Sequence, residues 1–180
     1  MHSLPLMTPA WIRIMPMLLF LFSLCLASSA LAQEPDSLNV SGDLVRTMRF
    51  DAQALARLPQ QDISESRQLH SREMKEASQV SYQGVLLKDL LTAAEMKEGQ
   101  RHDLRKALIV ARARDGYLAL FTWGELFNSA AGDHVLVITG KNGKPLGTNE
   151  GPFALRALGD IKPGPRHVKW LEQIEIRLIR

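Results

Sequence analysis

One cysteine, Cys25, occurs in 180 residues, and it lies inside an apolar N-terminal stretch. A lone thiol forms no internal disulfide. If that stretch is removed on export, the working protein has no thiolate nucleophile and no cysteine-ligated metal. Other chemical signatures are also missing. The histidines downstream, His70, His102, His134 and His167, form no His-x-His or His-x-x-x-His pair, so each reads as a surface or strand-edge residue. No Gly-x-Ser-x-Gly elbow is present. Asn142-Gly143-Lys144 is not a phosphate loop, because Ile138 and Pro145 stand where glycine and a hydroxyl residue are required. Internal repeats and low-complexity segments are absent.

Charge of one dominant sign is lacking as well. Removing Arg13 from the 22 basic residues leaves 21 against 19 acidic, a balance that gives no reason to invoke nucleic acid. The distribution is more informative: residues 141–180 carry eight basic and four acidic side chains, a basic end suited to an anion. Carboxylate pairs such as Asp62 with Glu65 and Glu73 with Glu76 fall in a polar segment and read as a solvated face.

The N-terminus has the layout of a secretory signal. His2 and Arg13 precede an apolar run from Ile14 to Ala27, followed by small residues ending in Ala30-Leu31-Ala32. The run has 14 residues and contains Pro16, short of the roughly 20 that span a bilayer. Cleavage is expected before Gln33, giving a signal peptide at 1–32, a single domain at 33–180, a periplasmic location and no stable membrane anchor. A chain of that size needs no staple, since about 68–70% of its unfolded surface is buried on folding.

Short strands and short helices alternate along the domain. Leu38–Ser41 reads as a strand, and Asp51 caps a helix carrying Ala54, Leu55 and Leu58 that Pro59 stops. The polar span 60–81, with isolated Ile63, Leu69, Met74 and Val80, reads as exposed strand and loop. Leu87, Leu90, Leu91 and Ala94 follow helical spacing. Ala107–Ala111 and Tyr117–Phe121 are apolar runs of buried-strand length. Thr122-Trp123-Gly124-Glu125 fits a capping box opening a helix that ends near Gly132. A strand at His134–Thr139 leads into Asn142-Gly143, a tight-hairpin pair. Trp170, Ile174, Ile176 and Leu178 share the alternating face of a final strand. Gly84 and Gly151-Pro152 read as turns, and Tyr117 and Trp170 as core packing. The fold class is α+β: a mixed β-sheet with short helices, and no catalytic residue stands out.

Four blocks add a resemblance. Tyr82-Gln83-Gly84-Val85-Leu86-Leu87-Lys88-Asp89-Leu90-Leu91, then Asp115-Gly116-Tyr117, then Glu150-Gly151-Pro152-Phe153, and Val168-Lys169-Trp170-Leu171-Glu172-Gln173-Ile174 occur in this order. Together they resemble the oxidoreductase molybdopterin-binding domain, the sulfite-oxidase-like fold, over most of the chain from Leu38 to Ile176. The resemblance implies a phosphate-bearing pterin, molybdopterin, and a cysteine thiolate bound to molybdenum. This chain departs from the pattern by lacking that cysteine, and by placing Ala154 where arginine is common and Leu158 where proline is common. Arg156, two residues beyond Ala154, would share its strand face and compensate. Arg156, Arg166, His167 and Lys169 become the anion-facing candidates beside Asp115 and Tyr117, with no metal ligand assigned. The expectation is that Arg156, Arg166 and Lys169 converge on one cleft, and that Arg156→Glu weakens ligand binding while leaving thermal stability nearly unchanged. Three readings stay open: a periplasmic protein binding a pterin-type or other anionic ligand without its own thiolate-bound molybdenum, a molybdopterin-dependent oxidoreductase or its subunit, and a cofactor-free sensory or interaction module with a periplasmic protein partner.

Overall fold

The computed structural model describes residues 36–68, 77–94, 103–162 and 164–179. The chain divides into Met1–Glu34 and Pro35–Arg180, and the described residues belong to the second unit. Cys25, His70 and His102 lie outside them, as do Leu69, Met74, Glu73 and Glu76 and the expected signal peptide.

Two sheets make the domain. The first has the order β2 (Met48–Phe50), β1 (Leu38–Gly42), β11 (Leu171–Leu178), β5 (Ala107–Ala113) and β6 (Leu118–Thr122). The second runs β10 (His167–Val168), β9 (Ala154–Ala157), β7 (Val135–Lys141), β4 (Ala77–Leu86) and β3 (Gln60–Gln68), with β8 (Lys144–Pro145) beside β7. β1 pairs with β11 in parallel, and the other pairings are antiparallel. The helices α1 (Ala52–Ala56), α2 (Leu87–Ala93) and α3 (Trp123–Phe127) are short. Their caps follow local chemistry. Asp51 Oδ1 accepts from Ala54 N–H at 2.7 Å and Thr122 Oγ1 accepts from Glu125 N–H at 3.1 Å. α3 stops at Phe127, well before Gly132, and a 3-10 turn at Ala130–His134 completes the connection.

The main core takes Val40, Ile109, Phe121, Ile174 and Ile176 from the first sheet and Val85, Val137 and Leu155 from the second, together with Leu55, Leu90, Leu91 and Leu126 from the helices. A second cluster, Val80, Tyr82, Leu136, Ile138 and Ala154, occupies the opposite face of the second sheet. β7 is therefore buried on both faces, and Val135–Ile138 form an unbroken buried run. Asn142 and Gly143 both have positive φ, 52° and 72°, as the expected tight hairpin requires.

Three expectations are corrected by non-local packing. The run Tyr117–Phe121 is only half buried: among the described residues β6 ends its sheet, so Ala119 and Phe121 reach the core while Leu118 and Leu120 are 44% and 52% exposed. Gly84 is no turn; it sits in β4 beside a register shift, where a Cβ would stand 2.0 Å from Val137 O. Trp170 lies outside the final strand. A register shift between Leu171 and Gln173 puts Leu171 in the core, and Trp170 adopts φ 51°.

Candidate functional site

Three connections meet at one end of the sheets. The β5–β6 turn contributes Arg114 and Asp115, the segment before β9 contributes Asn149 and Glu150, and the β10–β11 link contributes Lys169 and Trp170. Main-chain bonds stitch them together: Arg114 N–H donates to Trp170 O at 2.9 Å, Trp170 N–H to Glu150 O at 2.8 Å, and Leu171 N–H to Phe153 O at 2.8 Å. Between them opens a cleft of about 410 Å³ lined by Arg114, Asp115, Asn149, Lys169 and Trp170.

Trp170 is held hard in place. Gly151, at φ 84°, brings its backbone under the indole, and a Cβ there would lie 2.7 Å from Trp170 Cδ2. A left-handed conformation at a bulky residue costs roughly 1–3 kcal/mol and persists only where neighbours over-determine it. Arg114 covers the ring, its guanidinium carbon 4.7 Å from the indole centroid, and reaches Asp36 Oδ1 at 3.2 Å. Asp115 folds the turn by accepting from Tyr117 N–H at 3.0 Å.

Of the six residues singled out in the sequence, only Asp115 and Lys169 line this cleft. The expected convergence of Arg156, Arg166 and Lys169 does not occur. Arg156 does share the face of Ala154, but that face belongs to the second cluster. Its guanidinium is 2% exposed, ion-paired to Glu65 Oε2 at 2.7 Å, donating to Tyr82 Oη at 3.1 Å, and stacked over the Tyr82 ring. Glu65 accordingly does more than lie on a solvated face. Its pair member Asp62 stays on the exposed side, accepting from Gln83 Nε2 at 2.9 Å and from the Ser81 hydroxyl.

Arg166 is engaged elsewhere. It binds Glu125 Oε1 at 2.5 Å, Asp160 Oδ2 through Nε at 2.8 Å and Asp160 Oδ1 through Nη2, over the Phe121 ring. The Asp160 hydrogen bonds, against partial burial and with the help of Glu125, raise its pKa further. Tyr117 donates its hydroxyl to Pro165 O at 2.7 Å, outside the cleft. His167 is half-buried at the start of β10, opposite Arg156 in register.

Sequence reasoning passed over Arg114, Asn149 and Glu150. Arg114 directly precedes the Asp-Gly-Tyr block and Glu150 opens Glu-Gly-Pro-Phe, so proximity to those blocks was the available signal. Glu150 is 6% exposed and accepts from Lys141 Nζ at 2.9 Å. Burial alone would raise its pKa, but the hydrogen bond and charge of Lys141, with the charges of His167 and Lys169, hold it below the ordinary value.

These residues can be tested against the group that the resemblance implies. Among the described residues no cluster of three His, Cys, Asp or Glu is arranged to hold a metal ion, and none of them is a cysteine that could act as the single thiolate the resemblance implies. The organic part fits better. Two cations, Arg114 laid over the Trp170 indole and Lys169, with the Asn149 amide beside them, suit a ligand with an anionic tail.

Comparison with known proteins agrees with this architecture. In fold, the chain is similar to the crystal structure of the sulfane dehydrogenase SoxCD from Paracoccus pantotrophus, with a TM-score of 0.59 and 21% identity, over 79% of this chain. It spans 38% of that longer chain. No curated protein matches. The family model described as oxidoreductase molybdopterin binding domain matches residues 30–178, nearly the whole chain, and the protein belongs to that family.

Proposed function

We propose that this domain binds a molybdopterin-type or similar anionic, ring-bearing ligand in the cleft between Arg114, Lys169 and Trp170, without a thiolate-bound molybdenum of its own. The observation that carries the reading is the clamped Trp170, held by Gly151 on one side and overlain by Arg114 at 4.7 Å. Strain is retained at such positions where a fixed side chain serves recognition. Trp170, with Arg114 laid over it, forms a fixed wall of the cleft, Arg114 and Lys169 attract the anionic tail, and Asn149 supplies a hydrogen-bonding edge. Molybdopterin carrying metal supplies redox chemistry at molybdenum; the residues of this cleft bind and orient. The signal-like N-terminus supports export, with a mature chain from Gln33 in the periplasm.

Sulfane dehydrogenase is what the longer SoxCD protein is named for. The share matched is 38% of that chain, and an oxidoreductase role here would have the metal take another protein ligand or none. The interaction-module reading is favoured by one observation, the exposed Leu118 and Leu120 on end strand β6.

Protein purified from the periplasm and analysed for molybdenum, with mass spectrometry of released small molecules, tests the proposal. A pterin without stoichiometric metal is the expected result. One molybdenum per chain supports the oxidoreductase, and neither pterin nor metal, with no pyrophosphate binding by calorimetry, supports the interaction module.

A further inference from the structure

A sheet edge is ordinarily defended by a charge, a proline or a bulge. β6 has none of these. Its sequence, Leu118-Ala119-Leu120-Phe121-Thr122, pairs with β5 without a register shift. The face of the first sheet turned away from the core is polar on its inner strands, with Asn39 and Ser41 on β1 and Gln173 and Glu175 on β11, and becomes apolar towards the open edge at Leu108, Leu118 and Leu120. The main chain is open there as well. Ala113 N–H donates to Tyr117 O at 2.9 Å, so by the alternation of an antiparallel pair Ala119 and Phe121 turn their N–H and C=O groups to β5, while Leu118 and Leu120 turn theirs outward. Among the described residues no main-chain bond joins these outward groups to another segment.

Charge decides what fits this edge. Arg105 and Lys106, just before β5, line a hollow of about 340 Å³ with Leu108, Thr122 and Ile179 at the Thr122 end of β6. Arg112 stands beside Leu118 at the other end. Arg177 lies next to Leu108 and already binds Glu175, the nearby carboxylate of that face, at 2.7 Å. A second copy of the chain is a poor occupant. Antiparallel pairing of two β6 strands about a two-fold axis at Leu120 sets the Leu118 end of each against the Thr122 end of the other, so Arg112 approaches Arg105 and Lys106 of the other copy. We propose that the β6 edge is a docking site for an extended acidic segment of another protein, which adds a strand through the outward groups of Leu118 and Leu120, lays apolar residues on their side chains and directs carboxylates to Arg105, Lys106 and Arg112. The surface shares no residue with the cleft at Trp170 and stands whatever ligand that cleft takes.

A labelled peptide that alternates valine and threonine and ends in two glutamates is a usable probe. Fluorescence anisotropy with the protein purified from the periplasm is expected to show it bound about tenfold more tightly than the same peptide with lysines for glutamates, the scale of two exposed ion pairs, with the gap narrowing as salt rises. The acidic peptide N-methylated at the amides that face β6 should not bind. Leu120→Glu, at an exposed site, should keep its melting temperature and its pyrophosphate affinity and lose the acidic peptide. No binding of the acidic peptide, or equal binding of the acidic and lysine peptides, overturns the proposal without needing any variant. So does an N-methylated peptide that binds as well as its parent, or a folded Leu120→Glu protein that still takes the acidic peptide. A concentration-dependent dimer in sedimentation that Leu120→Glu dissolves would give the edge to a second copy instead. Failure of pyrophosphate to bind, with the peptide results intact, sinks the anion cleft and leaves the β6 edge standing.

Discussion

Gly151 and Trp170 are locked face to backbone: the glycine, at φ 84°, leaves so little room that any Cβ would fall 2.7 Å from the indole, while the tryptophan itself takes φ 51°. Each unusual conformation makes room for the other. Gly151→Ala should therefore destabilise the domain by roughly 1–3 kcal/mol, from strain at positive φ plus displacement of the ring. Chemical denaturation measures the loss, and a shift in tryptophan emission should accompany it. An alanine variant with wild-type stability and emission would show that the two residues are not coupled.

Arg156 is a structural cation. Glu65→Gln leaves its guanidinium buried without a counter-charge, and breaking a buried pair from one side costs about 3–5 kcal/mol. Arg156→Glu should be worse, because it faces Glu65 with a like charge. That reverses the expectation drawn from the sequence, where Arg156→Glu spared stability. Denaturation midpoints of both variants check the point. Wild-type stability in either would return Arg156 to the list of ligand-facing groups.

The acid limb of stability should report Glu150. Its folded pKa lies below the ordinary value of 4.5, so its contribution is complete above about that pH and is lost as pH falls through the lower folded value. Melting temperatures of wild type and Glu150→Gln should converge on acidification. A gap that stays constant from neutral pH downwards would argue against an ionised, Lys141-bound carboxylate.

What could be read from the sequence was whatever is decided within a few residues. The caps at Asp51 and Thr122, the Asn142-Gly143 turn and the helical spacing of Leu87, Leu90 and Leu91 are local signals, and the structure follows them. The exposure of Leu118 and Leu120 depends on β6 having no neighbour beyond it among the described residues, which no local pattern encodes. Trp170 matched the alternation of Ile174 and Ile176, but the register shift after Leu171 breaks the phase. The candidate cations were misjudged for the same reason. Arg156 meets Glu65 from 91 residues away and Arg166 meets Glu125 from 41, so their charges are neutralised by partners that spacing does not reveal. Lys169, in contrast, lines the cleft.

That difference separates the two remaining basic residues experimentally. Lys169 is exposed at the cleft, so Lys169→Ala should weaken pyrophosphate binding by about tenfold, the loss of one charge-assisted contact, and leave the melting temperature nearly unchanged. Arg166 joins Glu125 and Asp160 beneath the loop that follows β9. Removing it strands two half-buried carboxylates that water can partly solvate, so Arg166→Ala should cost about 1–2 kcal/mol of stability with pyrophosphate affinity intact. Calorimetry and thermal denaturation on the same two variants give both readouts. If Arg166→Ala loses the anion and Lys169→Ala does not, the binding surface lies around the Arg166 loop, and the Trp170 cleft is a structural joint between three connections.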